Sequence, residues 1–439
     1  MTTLPVGTEA GGELLPGCNV WFSISEDQSM SNELSRRDLF RRGSMLAVGL
    51  ATPSWLSTIA HADVIRQASG GKKTGDTVLV VCQLSGGNDG LNTVVPWSDS
   101  RYRTLRPNLG IAEDVVLKID EQMGLHPALK GIYELYQQKK VAIIQSVGYP
   151  RPNRSHFKSM DIWQSASPES NLKYGWIGRH LDQQITNGKQ NPVVALGLST
   201  DKPLALTGKV ASVPCFASLV DIQAMVGDPD SERMLRQIQG MDAPQGSNAS
   251  VVQQASKSAL DAMAVLSKQL QGFSPKQTYG NDAFGQGFKQ ISQLIATSPQ
   301  TRVVYFSTGG FDTHARQADQ HAKLLTGLGD AVNSFQKEME SIGKADKVLL
   351  LVFSEFGRRS FENASGGTDH GAAAPMFLIG SRVKGGLHGP IPDLDDLQDG
   401  DIKFKIDFRE VYAAALDEWM GGDSEVVLGQ KFSHAQAIR

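Results

Sequence analysis

Short apolar runs that close on turns constrain this chain more than any other feature. Asp76 to Leu84 reads DTVLVVCQL, without the polar alternation of a half-exposed strand, and stops at Ser-Gly-Gly. Such a run belongs to a strand covered on both faces, as in a parallel sheet. Val141 to Val147, Pro192 to Leu198, Arg302 to Thr308, Lys347 to Ser354 and Met376 to Ile379 read the same way. Helical patterns separate them, the clearest at His126 to Lys140, Arg316 to Ile342 and Phe408 to Met420. Strands alternating with long helices predict an α/β fold, a mainly parallel sheet flanked by helices. Ser250 to Gly272 and Asp282 to Thr297 are amphipathic and strand-poor, which predicts a helical insertion over about 160–300.

Ahead of the first run, Ser35 to Ala62 has a basic head, an apolar stretch and a small-x-small exit at Ala60-His61-Ala62, the parts of an export signal. Its Ser35-Arg36-Arg37-Asp38-Leu39-Phe40 head resembles a twin-arginine signal, a receptor-read address that engages the twin-arginine translocation machinery. Residues 1–62 are expected to be the signal region and 63–439 the working domain. A start at Met30 gives a head of ordinary length, so residues 1–29 read as a mis-assigned start. Ser44, Gly49, Thr52, Pro53 and Ser54 interrupt the apolar stretch, which falls short of the ~20 apolar residues of a spanning helix. A cleaved signal, a periplasmic or secreted protein and no stable membrane anchor are the expectation.

With 43 Lys and Arg against 46 Asp and Glu, the net charge of -3 leaves no global positive field. A nucleic-acid partner is therefore not expected. Three cysteines, Cys18, Cys82 and Cys215, make neither a disulfide framework nor a thiolate metal site, though Cys82 and Cys215 remain open as a pair. Any metal must be held by oxygen and imidazole.

Those groups stand in the loops after strands, where open α/β sheets place their sites. Gly86-Gly87-Asn88-Asp89-Gly90 leaves one carboxylate at a strand tip. Tyr149 to Phe157 presents Ser155 beside Asn153, Arg154 and His156. Gly309 to His314 carries Asp312 and His314, which extended chain would point to one side. Glu355-Phe356-Gly357-Arg358 is followed by Gly366-Gly367-Thr368-Asp369-His370-Gly371. Converging carboxylates and imidazoles suit a divalent ion such as Zn²⁺ or Mn²⁺. Each loop also has a bland reading: a structural turn for Gly86 to Gly90, loop hydrogen bonding for Asp312 and His314, a helix N-cap for Ser155.

From Asp76 to about Gly421 the chain resembles the DUF1501 family, exported bacterial proteins placed with the alkaline phosphatase and sulfatase superfamily. The resemblance rests on GGNDGLNT at Gly86 to Thr93, RSHF at Arg154 to Phe157, GGFDTH at Gly309 to His314, SEFGR at Ser354 to Arg358 and GGTDHG at Gly366 to Gly371. It implies an alkaline-phosphatase-like fold with one or two divalent ions, Zn or Mn. Asp89 would be the first-strand ligand, Ser155 the nucleophile, Asp312 and His314 the second-metal pair, and His370 the closing imidazole. Glu355-Phe356 departs from the pattern, standing where an Asp-His pair belongs. Phe356 binds no metal, so the first ion would rest on Asp89, Glu355 and Ser155, or recruit Asp369.

On that resemblance the chain is a metal-dependent hydrolase of phosphate or sulfate esters, small-molecule or polysaccharide. Arg154 or Arg358 would pair with the non-bridging oxygens, unless surface-exposed or paired with carboxylates. His156, His321 and His388 are expected to be structural or solvated. The competing expectation is a non-catalytic exported protein on a degenerate fold that binds a polysaccharide or envelope component.

Overall fold

A computed structural model describes residues 75–439 apart from 169–171, 186–189, 227 and 245–246. The signal region therefore lies outside the described residues. A mixed, mainly parallel sheet runs through the molecule. Its strands are β1 (Val78–Leu84), β2 (Val141–Gly148), β3 (Ala195–Leu198), β4 (Cys215–Phe216), β5 (Val303–Thr308), β6 (Val348–Phe353), β7 (Ala374–Ile379), β8 (Gly386–His388) and β9 (Ile406–Asp407). The order across the sheet is β8-β2-β7-β6-β1-β5-β3-β4, with β9 also pairing β2. Every pairing is parallel except those of β7, which runs antiparallel to both β2 and β6.

Alternation along β1 shows why its sequence has no polar face. Val78, Val80, Cys82 and Leu84 point into one core, with the helices Lys130–Gln137, Ala283–Thr297 and Gln317–Ser341. Leu79 and Val81 point into the other, with Trp176–Gln184 and Phe408–Ala414. Successive strand residues face opposite ways, so a sheet covered twice needs apolar residues at every position. Cys82 lies in the first core and Cys215 packs against the second, so the sheet separates them and both are free thiols.

The stretch expected as a helical insertion does carry the helices Leu219–Val226, Pro229–Gly240, Asn248–Gln269 and Ala283–Thr297. It also supplies β3 and β4, which extend the sheet beyond β5. β3 lies within the run expected at Pro192 to Leu198, whereas β4, two residues long, is too short for an apolar run to announce it. Among the described residues, no helix is long and apolar enough to cross a membrane.

Strand direction positions the site. β1, β2, β5 and β6 run the same way, so the loops after all four emerge at one edge. β7 runs against them and starts at that edge, which brings residues 366–371, just before it, to the same place.

Candidate metal centre

At that edge the side chains of His156, Asp312 and His370 meet, with their ligand atoms within 4.8 Å of one another. Asp312 Oδ1 is the hub. His370 Nε2 lies 3.1 Å from it, His314 Nε2 3.0 Å and His156 Nε2 3.4 Å. Two loops and a helix start supply these groups: Asp312 and His314 follow β5, His370 precedes β7, and His156 opens the helix His156–Ser165 after β2. Gly86, with φ of 120°, lets the loops pack closely. A Cβ there would sit 2.4 Å from the Asp312 backbone nitrogen.

Each imidazole is aimed by a bond at its far nitrogen. His156 Nδ1 lies 2.8 Å from Glu355 Oε1, His370 Nδ1 2.8 Å from the Arg154 carbonyl, and His314 Nδ1 3.1 Å from Asp369 Oδ1. An acceptor at Nδ1 assigns the proton to that nitrogen and leaves a lone pair on Nε2, the arrangement that second-shell groups impose on metal-binding histidines. His156 Nε2 is buried and has no hydrogen-bond partner. Neutral rings in those tautomers turn their Nε2 lone pairs toward the Asp312 oxygen, a crowding that a cation among them would relieve; His314 Nε2 and His370 Nε2 also lie 2.9 Å apart, within hydrogen-bond reach. The donor set, imidazoles with one carboxylate, is that of a divalent transition metal.

Burial raises the Asp312 carboxyl, but the hydrogen bond and positive charge of Arg358, with the imidazoles beside it, outweigh burial and bring the pKa down to about 2. Burial lowers His370, whereas the hydrogen bond to Glu355 raises His156.

Several residues expected as ligands stand elsewhere. Asp89 caps the short helix Gly90–Thr93, and its Oδ2 pairs with Arg106 Nη1 at 2.5 Å and accepts from Gln317, both partners fully buried. It does not enter the cluster. Glu355 is buried too. Its Oε1 accepts from the Gly86 backbone as well as from His156, so it orients that ring from outside the cluster. Asp369 does the same for His314 and also accepts from Asn363. His156, expected to be structural, takes the place that Glu355 and Asp89 were to fill.

Both arginines already pair with a carboxylate. Arg358 is buried and donates to the carbonyls of Gly86, Gly87, Phe311 and Thr368 and to Asp312 Oδ1 at 2.7 Å, so it ties loops together and holds the hub carboxylate. The Arg154 guanidinium lies on Asp401 Oδ2, at 2.6 and 2.9 Å. Ser155 is exposed at the start of the helix, and its side chain makes no capping bond. Phe356 is buried, its ring 4.9 Å from that of His156 and 4.7 Å from that of His370. It forms a wall behind two ligands. His321 is buried on Asn88 and His388 is bonded to the Lys384 carbonyl, away from the cluster as expected.

Residues 139–429 match the family model described as "Protein of unknown function (DUF1501)", two thirds of the chain. The chain belongs to the DUF1501 family. No curated protein matches it. Solved structures of similar course include the PsFucS1 sulfatase from Pseudoalteromonas sp. (9% identity, TM-score 0.33, 83% of this chain and 73% of that one). A protein in the alkaline phosphatase superfamily from Vibrio parahaemolyticus follows (9%, 0.34, 83% and 76%). The phosphonate monoester hydrolase SpPMH from Silicibacter pomeroyi is a third (9%, 0.33, 81% and 77%). At such identities and scores, chemistry has to be argued from this DUF1501 chain's own side chains.

Proposed function

We propose that this DUF1501 protein is an exported hydrolase of phosphate or sulfate esters working with one divalent ion, Zn²⁺ or Mn²⁺, held by His156, Asp312 and His370, with His314 as a fourth donor. The observation that carries the reading is the aiming of three Nε2 atoms at one Asp312 oxygen, with His156 Nε2 buried and unpartnered. The ion would supply Lewis acidity toward a phosphoryl or sulfuryl oxygen. Asp312, its carboxyl low at about 2, stays ionised at neutral pH. Glu355, Asp369 and the Arg154 carbonyl keep the three rings in their binding tautomers. Ser155, exposed and next in sequence to His156, is the hydroxyl that would attack phosphorus or sulfur, breaking the bond to the alcohol, which leaves carrying the proton that the serine gives up; water would then hydrolyse the seryl ester, releasing phosphate or sulfate and restoring the hydroxyl. Export would follow from the twin-arginine signal. Replacing Arg36 and Arg37 by Lys should abolish translocation, and continued export by that route would contradict it.

One observation favours the competing reading, a non-catalytic exported binding protein: Asp89 and Arg106 are paired with each other and Arg358 with Asp312, so none of these three is offered to a second ion or to an anion. Metal analysis decides the centre. Close to one equivalent of Zn or Mn, lost on His370→Ala, is expected. Activity on p-nitrophenyl phosphate, bis(p-nitrophenyl) phosphate and p-nitrophenyl sulfate, compared with Ser155→Ala, decides the chemistry. A metal-free protein inert toward all three esters favours the binding protein.

A further inference from the structure

A cavity of about 410 Å³ opens beside the metal centre. Its volume lies at the lower end of the ~300–1,000 Å³ usual for small-molecule sites. Two of its walls run directly into the cluster: Tyr149–Arg154 leads to Ser155 and His156, and Ala372–Ala373 follows His370. Arg154 belongs to both places, its carbonyl on His370 Nδ1 and its guanidinium on Asp401 in the cavity wall. A group bonded to an ester centred on the cluster has this cavity next to it.

The lining selects among such groups. Arg151, Asn153, Gln398 and Asp399 bring both donors and acceptors, which an aryl or alkyl group would desolvate without replacing their bonds to water. Phe404, half-buried in the wall, adds an apolar face. Charge is nearly balanced. Arg154 pairs with Asp401 and Lys403 with Asp396; among the described residues Arg151 and the Asp399 carboxylate have no partner. A second anion or an ammonium therefore gains little here. Asp401 is 3% exposed, and its Oδ1 is buried with no hydrogen bond, Arg359 Nε lying 4.0 Å from it. A buried carboxylate oxygen without a donor is costly. We propose that this cavity is the subsite for the alcohol part of the ester, and that it takes a neutral, hydroxyl-rich sugar ring whose hydroxyl donates to Asp401. The proposal rests on the hydrolase reading, because it assumes an ester at the cluster.

Calorimetric titration of the purified, metal-loaded protein tests it, with galactose 6-sulfate and glucose 6-phosphate against methyl sulfate, methyl phosphate and glycerol 3-phosphate. The sugar esters should bind at least tenfold tighter than the methyl esters, and Asp401→Asn should collapse that ratio. Phe404→Ala, which leaves the Arg154 pair alone, should shrink it several-fold and guards against misfolding of the first variant. Glycerol 3-phosphate binding as tightly as glucose 6-phosphate overturns the ring. Equal affinity for sugar and methyl esters, a ratio that survives both substitutions, or no binding of the sugar esters overturns the subsite. Metal content, measured on the same samples, reports on the hydrolase reading separately. A metal-free protein that still prefers sugar esters through Asp401 keeps the ligand class and loses the hydrolysis.

Discussion

Glu355 Oε1 stands 2.8 Å from His156 Nδ1, and the opposite nitrogen of that ring is buried without a partner. The pair changes the part played by the SEFGR segment. Its glutamate acts one bond removed from the cluster, its phenylalanine backs two of the imidazoles, and its arginine holds Asp312. Glu355 and Phe356, which stand where an Asp-His pair was expected, and Arg358 thus all support the cluster around Asp312.

Replacing Glu355 with Gln tests this arrangement. An amide oxygen can still accept from the Gly86 backbone, but the negative charge that holds the His156 tautomer is lost. Second-shell changes of this kind typically lower metal affinity by about 10–100-fold. Chelator competition with Zn²⁺ should show that loss, with a melting temperature of the apoprotein close to wild type. Unchanged affinity would make Glu355 a ligand of the Gly86 backbone only.

Asp89 and Arg106 give the contrasting case, a buried pair whose role is structural. Arg106 also donates to Asn92 and to the Ser360 and Arg359 carbonyls, so its removal strands a buried carboxylate and several acceptors. Breaking such a pair from one side costs about 3–5 kcal/mol. Arg106→Met should lower stability in urea by that order while the folded fraction retains its metal. Loss of metal at full stability would return Asp89 to the ligand set.

These two carboxylates show where the sequence was readable. The strands were legible because burial on both faces erases polar alternation, and the four strand-end loops were legible because parallel strands deliver their ends to one edge. The direction of β7 was not, since a buried run reads the same both ways, yet that reversal is what delivers His370. The partner of Asp89 lies at no regular helix or strand spacing, so a carboxylate at a strand tip looked free. His156 at a helix start looked structural; the signal that pointed to it was a second carboxylate, Glu355, at the end of another strand opening on the same edge, needing a donor.

Gly87 has φ of 77°, and a Cβ there would fall 2.3 Å from the Phe356 ring. Gly87→Ala therefore meets backbone strain of about 1–2 kcal/mol and forces the ring away. Because that ring lies behind His156 and His370, the substitution should weaken metal binding as well as stability. Adding Phe356→Leu should recover part of both. Chelator competition and urea unfolding on the single and double variants measure the recovery. A double variant no better than Gly87→Ala would place the damage in the backbone alone.

His321 allows a pH test away from the cluster. Burial pushes its pKa down to about 4, against the pull of the Asp89 charge, from 6.5 for the free side chain. Below pH 6.5 the unfolded chain binds a proton that the folded one refuses, so folding loses free energy as pH falls from 6.5 toward 4 and is unaffected above that range. A difference of about 2.5 units is worth about 3 kcal/mol by pH 4. His321→Asn removes the titrating group, so it should be destabilised near pH 7.5 and have a flatter stability profile on the acid side. Urea midpoints of metal-free protein at steps from pH 8 to 4 measure the two slopes. Parallel profiles would show that His321 takes up its proton in the folded protein as readily as in the unfolded one.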